Sequence, residues 1–331
     1  MFSSEFLCFA IEKSKSEHIE LMQLYIDRIN SGEDLDRIQR YVNSQIWEES
    51  EKRQLVLDYA DYAWKYFDQL GTNFEREKKY HAFLKISNAL LPEVKICSYF
   101  YDCYPRNILD LNGINLLLTY FQGKEKYKNR LRFSGGVDIQ DLPALVQNLV
   151  YQGSRGETSF VVRQRGKKHV TPLFIRIDDK KLTAISLDAL GGSESGYDWG
   201  SWIQAALKSS IKIPIEFYKF KKERQNDGIS CAIFCIRDLL EHAKNNLFGY
   251  IEGIKGSDPA IIIPDPYFKK DSFLILGLPL EFMKVSQVEW VSKGVQVQKP
   301  ENQRTSTDHK ILHTRKKAYK YFKILLELIL N

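Results

Sequence analysis

Long apolar runs are missing from this chain. No segment reaches the roughly 18 consecutive apolar residues that a membrane-crossing helix requires, so no such helix is expected. Cysteine is scarce as well. The five thiols, Cys8, Cys97, Cys103, Cys231 and Cys235, are odd in number and irregularly spaced, which argues against a disulfide framework and for a reducing compartment. There is no CxxC pair, and Cys97 and Cys103 in KICSYFYDCYP have no histidine at metal-ligand spacing. No metal or organic cofactor is therefore expected. The opening MFSSEFLCFAIEKSKSEH lacks both a basic residue ahead of its apolar patch and a small-residue cleavage site, so a secretory signal is not expected either. Neither a zinc-finger pattern nor an RNA-binding aromatic motif is present, and the formal +6 charge is spread among interleaved acids and bases. Nucleic acid is not an expected partner.

What remains is a globular composition, 44% apolar and 27% charged, over 331 residues. That length predicts one catalytic-sized domain with a helical extension, or two domains. Residues 1–130 read as a helical N-terminal domain that selects a substrate or partner. In LDRIQRYVNSQIWEESEKRQLVLDYADYAWKYFDQL, Leu35, Ile38, Val42 and Ile46, then Leu55, Leu57, Tyr59, Trp64 and Phe67 recur at a broadly three-to-four spacing, and Gly71 ends the run. A second helix spans about 75–91 and a third about 108–121.

Residues 131–291 change texture. SFVVRQ and HVTPLFIRIDDKKLTAISLDAL read as strands, the latter a hairpin around Asp178–Lys181, with a helix near 200–209, a strand at IPIEFYKF and a helix from Cys231. The order predicts an α+β fold rather than a repeating βαβ unit. Residues 292–331 read as a polar linker and a basic amphipathic helix. That helix is expected to dock on the protein's own body, with an anionic membrane surface or a partner groove as alternatives.

A symmetric turn in the hairpin pairs Ile177 with Leu182 and brings His169 and Asp188 onto one face as diagonal neighbours. An Asp–His hydrogen bond then becomes feasible. The helix from Cys231 is expected to cover that face, with its thiol at the positive end of the helix dipole, where thiolate is favoured. Cys231, His169 and Asp188 fill the roles of nucleophile, base and orienting group, and Gln225, six residues before the cysteine, supplies an amide to an oxyanion hole. Gly228 would allow the intervening loop to turn tightly. His242 lies eleven residues along the cysteine's own helix, too far to serve as its base. Cys235 reads as core, and His18 and His81 as solvated.

The order His169, Asp188 within LDAL, then Gln225 and Cys231 within QNDGISCA resembles the CE clan of cysteine peptidases, the Ulp/SENP-type proteases and their relatives. The resemblance covers about residues 140–250, with Ala232 where that clan carries Gly and Val170 where it carries Trp. It implies an Ulp/adenain-like core, a mixed sheet flanked by helices, with Trp199, Trp202 and Val170 near the substrate. Within the clan the chain is most similar to the deubiquitinase branch of bacterial effectors, LupA-like ubiquitin-specific proteases. The resemblance therefore implies an isopeptidase acting on ubiquitin or a ubiquitin-like protein, delivered by a bacterium into host cytoplasm. Two other functions are compatible with the same residues. One is a YopJ-like acetyltransferase using acetyl-CoA, for which the basic cluster Lys219, Lys221, Lys222 and Arg224 would bind phosphates; the other is a non-catalytic binding module.

Overall fold

A computed structural model describes residues 4–43, 48–101, 108–191, 198–227, 230–258, 260–268, 271–292, 295–298 and 309–331. It divides into two compact units, one of residues 1–113 and 315–331, the other of residues 114–314. This division differs from the expected three segments, because the C-terminal helix belongs with the N-terminal helices. No helix among the described residues is long and apolar enough to cross a membrane.

The first unit is built from helices Ser4–Asn30, Leu35–Asn43, Glu49–Lys65 and Asn73–Leu90, joined by the C-terminal part of His309–Leu330. The segment predicted as one helical run is thus two helices, separated by residues outside the description. A left-handed turn at Gly71 (φ +99°) precedes helix Asn73–Leu90, and such a backbone favours glycine. Thr72 then caps the next helix: its hydroxyl accepts from the Glu75 N–H at 3.3 Å while the Glu75 carboxylate accepts from the Thr72 N–H at 2.6 Å. In the C-terminal helix, Phe322, Leu325 and Leu326 are buried, each contributing about 1.5–3 kcal/mol. Tyr80 stacks on Phe322 at 4.7 Å and meets Tyr319 edge-on at 4.5 Å. The apolar face of this helix is therefore committed to the protein's own helices, not to a membrane.

The second unit is organised by a mixed seven-stranded sheet. In spatial order its strands are Phe133–Asp138, Gly156–Arg163, Val170–Ile177, Leu182–Ser186, Ile215–Phe220, Ser272–Ile275 and Ile262–Pro264. The three strands from Gly156 to Ser186 pair antiparallel, and the pairs Phe133–Asp138 with Gly156–Arg163 and Leu182–Ser186 with Ile215–Phe220 are parallel. Helices Leu142–Tyr151 and Trp199–Ser210 supply the parallel crossovers. The α+β class expected from sequence, a mixed sheet flanked by helices, is what the chain adopts.

Alternation along the strands sorts side chains between two layers. Leu173, Ile175, Ile177, Leu182, Ala184 and Phe217 pack with Leu142, Val146, Ile203 and Leu207 in one core. The opposite face meets helix Cys231–His242, which packs on Val170–Ile177, with the Phe174 ring 4.6 Å from that of His242. The Cys231 helix therefore covers the face opposite to the one predicted; the crossover helices occupy that place. Strand Glu289–Ser292 pairs antiparallel with Val295–Gln298, which stands in the segment read as the start of a linker. Its alternating VQVQ is a strand pattern that composition alone obscured.

Candidate active site

The hairpin register fixes the first two candidates. Ile177 pairs with Leu182 and Leu173 with Ser186, the symmetric arrangement that the Asp178–Lys181 turn predicts. Asp178 holds that turn by accepting from the N–H groups of Lys180 and Lys181 at 2.9 and 2.8 Å. His169 stands one residue before its strand and Asp188 two residues past the end of the partner strand. Their side chains meet: Nε2 of His169 lies 2.9 Å from Oδ1 of Asp188. The same carboxylate oxygen accepts from the Leu190 N–H at 2.9 Å, which aims it, while Oδ2 is buried without a hydrogen-bond partner among the described residues.

Cys231 arrives from the other layer, past the N-terminal end of strand Val170–Ile177, where its Sγ lies 3.8 Å from the Lys168 carbonyl oxygen. It is the first residue of its helix, so backbone N–H groups beside the sulfur have no acceptor within the helix. Burial alone would push the His169 pKa down. The Asp188 charge and hydrogen bond, then the hydrogen bond and charge of Cys231, outweigh it and raise the imidazole from 6.5 to about 10. Because Nε2 faces Asp188, Nδ1 is the ring nitrogen left for the sulfur. Access is narrow: Cys231 is 3% exposed and the His169 side chain 12%.

Gln225 is buried, and its amide NH2 donates to the backbone carbonyl of Asp227. Its Oε1 has no hydrogen-bond partner among the described residues. The Asp227 carboxylate accepts from the Ser230 N–H at 2.9 Å and hydroxyl at 2.7 Å, pinning the residue before Cys231. Gln287, from a distant segment, braces the loop by accepting from Asn226 N–H at 2.6 Å and donating to Asp227 at 3.1 Å. No sequence signal joined Gln287 to this site, since it lies more than fifty residues from the cysteine with no motif of its own. Gly228 lies outside the described residues.

Trp199 lies against the imidazole, ring centroids 5.1 Å apart, and meets Trp202 edge-on at 5.2 Å. Trp202 is 39% exposed, whereas Val170 is buried in the sheet and alternates to the face away from His169. Of the basic cluster, Lys219 is consumed by ion pairs with Asp198 at 2.9 Å and Asp265 at 2.8 Å, and Arg224 by a buried pair with Asp238. Neither is available for phosphates. Cys235 is core, its thiol pushed up by burial. His81 is buried, and His18 bonds Asp58 at 2.7 Å, so neither is the solvated residue expected. His242 sits at the far end of its helix beside Glu157, 3.5 Å away. Among the described residues no group of His, Cys, Asp or Glu could hold a metal ion.

A family model for YopJ serine/threonine acetyltransferases matches residues 108–325, more than half of the sequence. The chain belongs to this family. No curated protein matches it by sequence. Among solved structures, HopZ1a in complex with IP6 aligns at 12% identity over 82% of this chain and 97% of its own, with a TM-score of 0.48. AvrA delL154 with IP6 and CoA aligns at 12% identity over 83% of this chain and 99% of its own, with a TM-score of 0.39.

Family membership corrects the reading of the chemistry. The placement in an effector branch of the CE clan stands, but the LupA-like protease, the deubiquitinase activity and the ubiquitin or ubiquitin-like partner do not, because the matching family is one of acetyltransferases. The physical reason is plain. A thiol, an imidazole and a carboxylate at a helix start serve attack on any acyl carbon, and their spacing says nothing about which acyl group or acceptor the surrounding surface admits.

Proposed function

We propose that this chain transfers an acetyl group from acetyl-CoA to hydroxyl groups of a protein substrate, acting as a bacterial effector in host cytoplasm. The observation that carries the proposal is the hydrogen-bonded His169–Asp188 pair meeting the Cys231 sulfur at a helix start, in a chain of this family. Cys231 attacks the thioester carbonyl, the bond to the CoA sulfur breaks, and His169 gives its proton to the departing thiolate. The acceptor hydroxyl then attacks the Cys231 thioester, His169 takes its proton, an ester forms and the cysteine is regenerated. Asp188 keeps the imidazole in the orientation that presents Nδ1 to the sulfur.

Backbone N–H groups at the start of the Cys231 helix are the donors best placed for the developing oxyanion. Gln225 supports them by holding Asp227, its amide already engaged with that residue. The exposed edge of Trp202, set on Trp199, offers an apolar contact to the acyl donor or acceptor.

Incubation with radiolabelled acetyl-CoA tests the proposal. Expected are an acetyl thioester on the peptide containing Cys231 and hydroxylamine-labile label on protein hydroxyls, both lost in Cys231→Ala. A wild-type enzyme that never releases CoA, or a Cys231→Ala variant that does so at the wild-type rate, would refute it.

A further inference from the structure

Arg224 is fully buried, and apart from a 3.5 Å contact of Nη1 with the Phe282 carbonyl its hydrogen bonds run to segments that carry the candidate site. Its guanidinium forks onto the Asp238 carboxylate, Nη1 to Oδ1 at 2.8 Å and Nη2 to Oδ2 at 2.6 Å. Asp238 lies seven residues after Cys231, hence about two turns along the same side of the helix. Nη2 also donates to the Leu187 carbonyl at 3.0 Å, and the Arg224 backbone N–H donates to the Ala189 carbonyl at 2.8 Å. Those two carbonyls belong to the residues on either side of Asp188. The Phe220 and Phe234 rings stand near the guanidinium at 5.4 and 5.5 Å, so the group has little freedom to move. The Arg224 carbonyl in turn accepts from Gln287 N–H at 2.7 Å, tying the clamp to the loop ahead of the nucleophile.

We propose that Arg224 is a positioning residue: by gripping the backbone on both sides of Asp188 and the helix that carries Cys231, it sets where the carboxylate stands against His169. The inference rests on the reading of Cys231, His169 and Asp188 as the reacting group. A buried ion pair brings little net stability, because desolvating both partners offsets their attraction. What this pair supplies is a fixed relation between two segments that approach from different layers of the sheet. Arg224 acts through Asp188 and touches no reacting atom.

Alkylation of Cys231 by iodoacetamide across pH tests this without depending on acetyl transfer, since the rate reports thiolate held by the His169 imidazolium. Arg224→Met combined with Asp238→Leu removes both charges together and keeps the volume, so the fold is expected to melt cooperatively. In that variant alkylation near pH 6 should fall roughly tenfold and converge with the wild-type rate at alkaline pH, the factor expected when the imidazole loses about one pKa unit. Arg224→Lys, which keeps a charge opposite Asp238 but lacks the forked second donor, should show the same direction at smaller size.

The decisive comparison places the Arg224→Met, Asp238→Leu pair in an Asp188→Asn background, where it should change the alkylation profile less than about twofold. An equal factor in both backgrounds, or an unchanged profile in the folded variant, overturns the positioning role. If Asp188→Asn itself leaves the profile unchanged, the underlying reading of the site fails instead. A wild type that shows the alkylation profile but transfers no acetyl group sinks the proposed reaction and leaves the clamp standing.

Discussion

Replacing Asp188 with asparagine isolates one interaction, because the amide keeps the shape of the carboxylate and removes its charge. Nε2 of His169 and Oδ1 of Asp188 are 2.9 Å apart, with side chains only 12% and 4% exposed. Unit charges about 4 Å apart attract by about 4 kcal/mol at an effective dielectric constant near 20, which corresponds to about three pKa units. Against the opposing effect of burial this falls short of the full rise from 6.5 to about 10, and the Asp188 hydrogen bond together with Cys231 supplies the rest. Asp188→Asn should therefore return His169 to its ordinary range or below. The sign of the stability change follows. With the folded value above the unfolded one, the protonated imidazole stabilises the fold fully below 6.5 and loses that contribution as pH rises through about 10. The stability gap between wild type and variant should be on the order of 4 kcal/mol on the acid side of that window and shrink across it. Histidine NMR titration and urea melts at several pH values measure both quantities. A His169 that still titrates far into the alkaline range in Asp188→Asn, or a gap that stays constant with pH, would refute the assigned pairing.

Two further outcomes are expected. Gly191 has φ +69°, and a Cβ there would come within 2.5 Å of the Glu223 nitrogen and 2.6 Å of the Lys222 carbonyl carbon. Gly191→Ala should cost on the order of 1–3 kcal/mol and slow acetylation by pushing the segment that leads into Gln225, as thermal melts and initial rates will register; an unchanged melt counts against it. Lys219→Met leaves the buried Asp265 and its neighbour Asp198 without their cation, a loss of about 3–5 kcal/mol. The KM for acetyl-CoA should stay unchanged in that variant, and a raised KM with an unaltered melt would restore the phosphate-binding role.

The readable part of the sequence was local. The alternation of HVTPLFIRIDDKKLTAISLDAL fixed strand pairing and, through it, the meeting of His169 with Asp188. A cysteine opening an apolar helix was equally legible, and helix Cys231–His242 begins at the residue expected. Charge misled: Lys219 and Arg224 sit in a basic run that reads as surface, yet each is buried beside carboxylates from distant segments, partners that no local pattern announces. The layer that receives the Cys231 helix was also hidden, because both faces of Val170–Ile177 are apolar and buried. The strands Ser272–Ile275 and Ile262–Pro264 are too short to declare themselves. The reaction class was illegible for a different reason, since it resides in what the site excludes rather than in the residues that react.

The imidazole and the sulfur come from separate packing layers, His169 from the side of Trp199–Ser210 and Cys231 from the opposite face. Each layer can drift in sequence under its own volume constraints, so a change beneath the crossover helices alters the surroundings of His169 while leaving the housing of the Cys231 thiol intact. The surroundings of His169 and those of Cys231 are thereby adjustable from different sides. Paired substitutions drawn one from each layer should act independently on the two, except at the Arg224–Asp238 pair, which ties the Cys231 helix to the backbone beside Asp188.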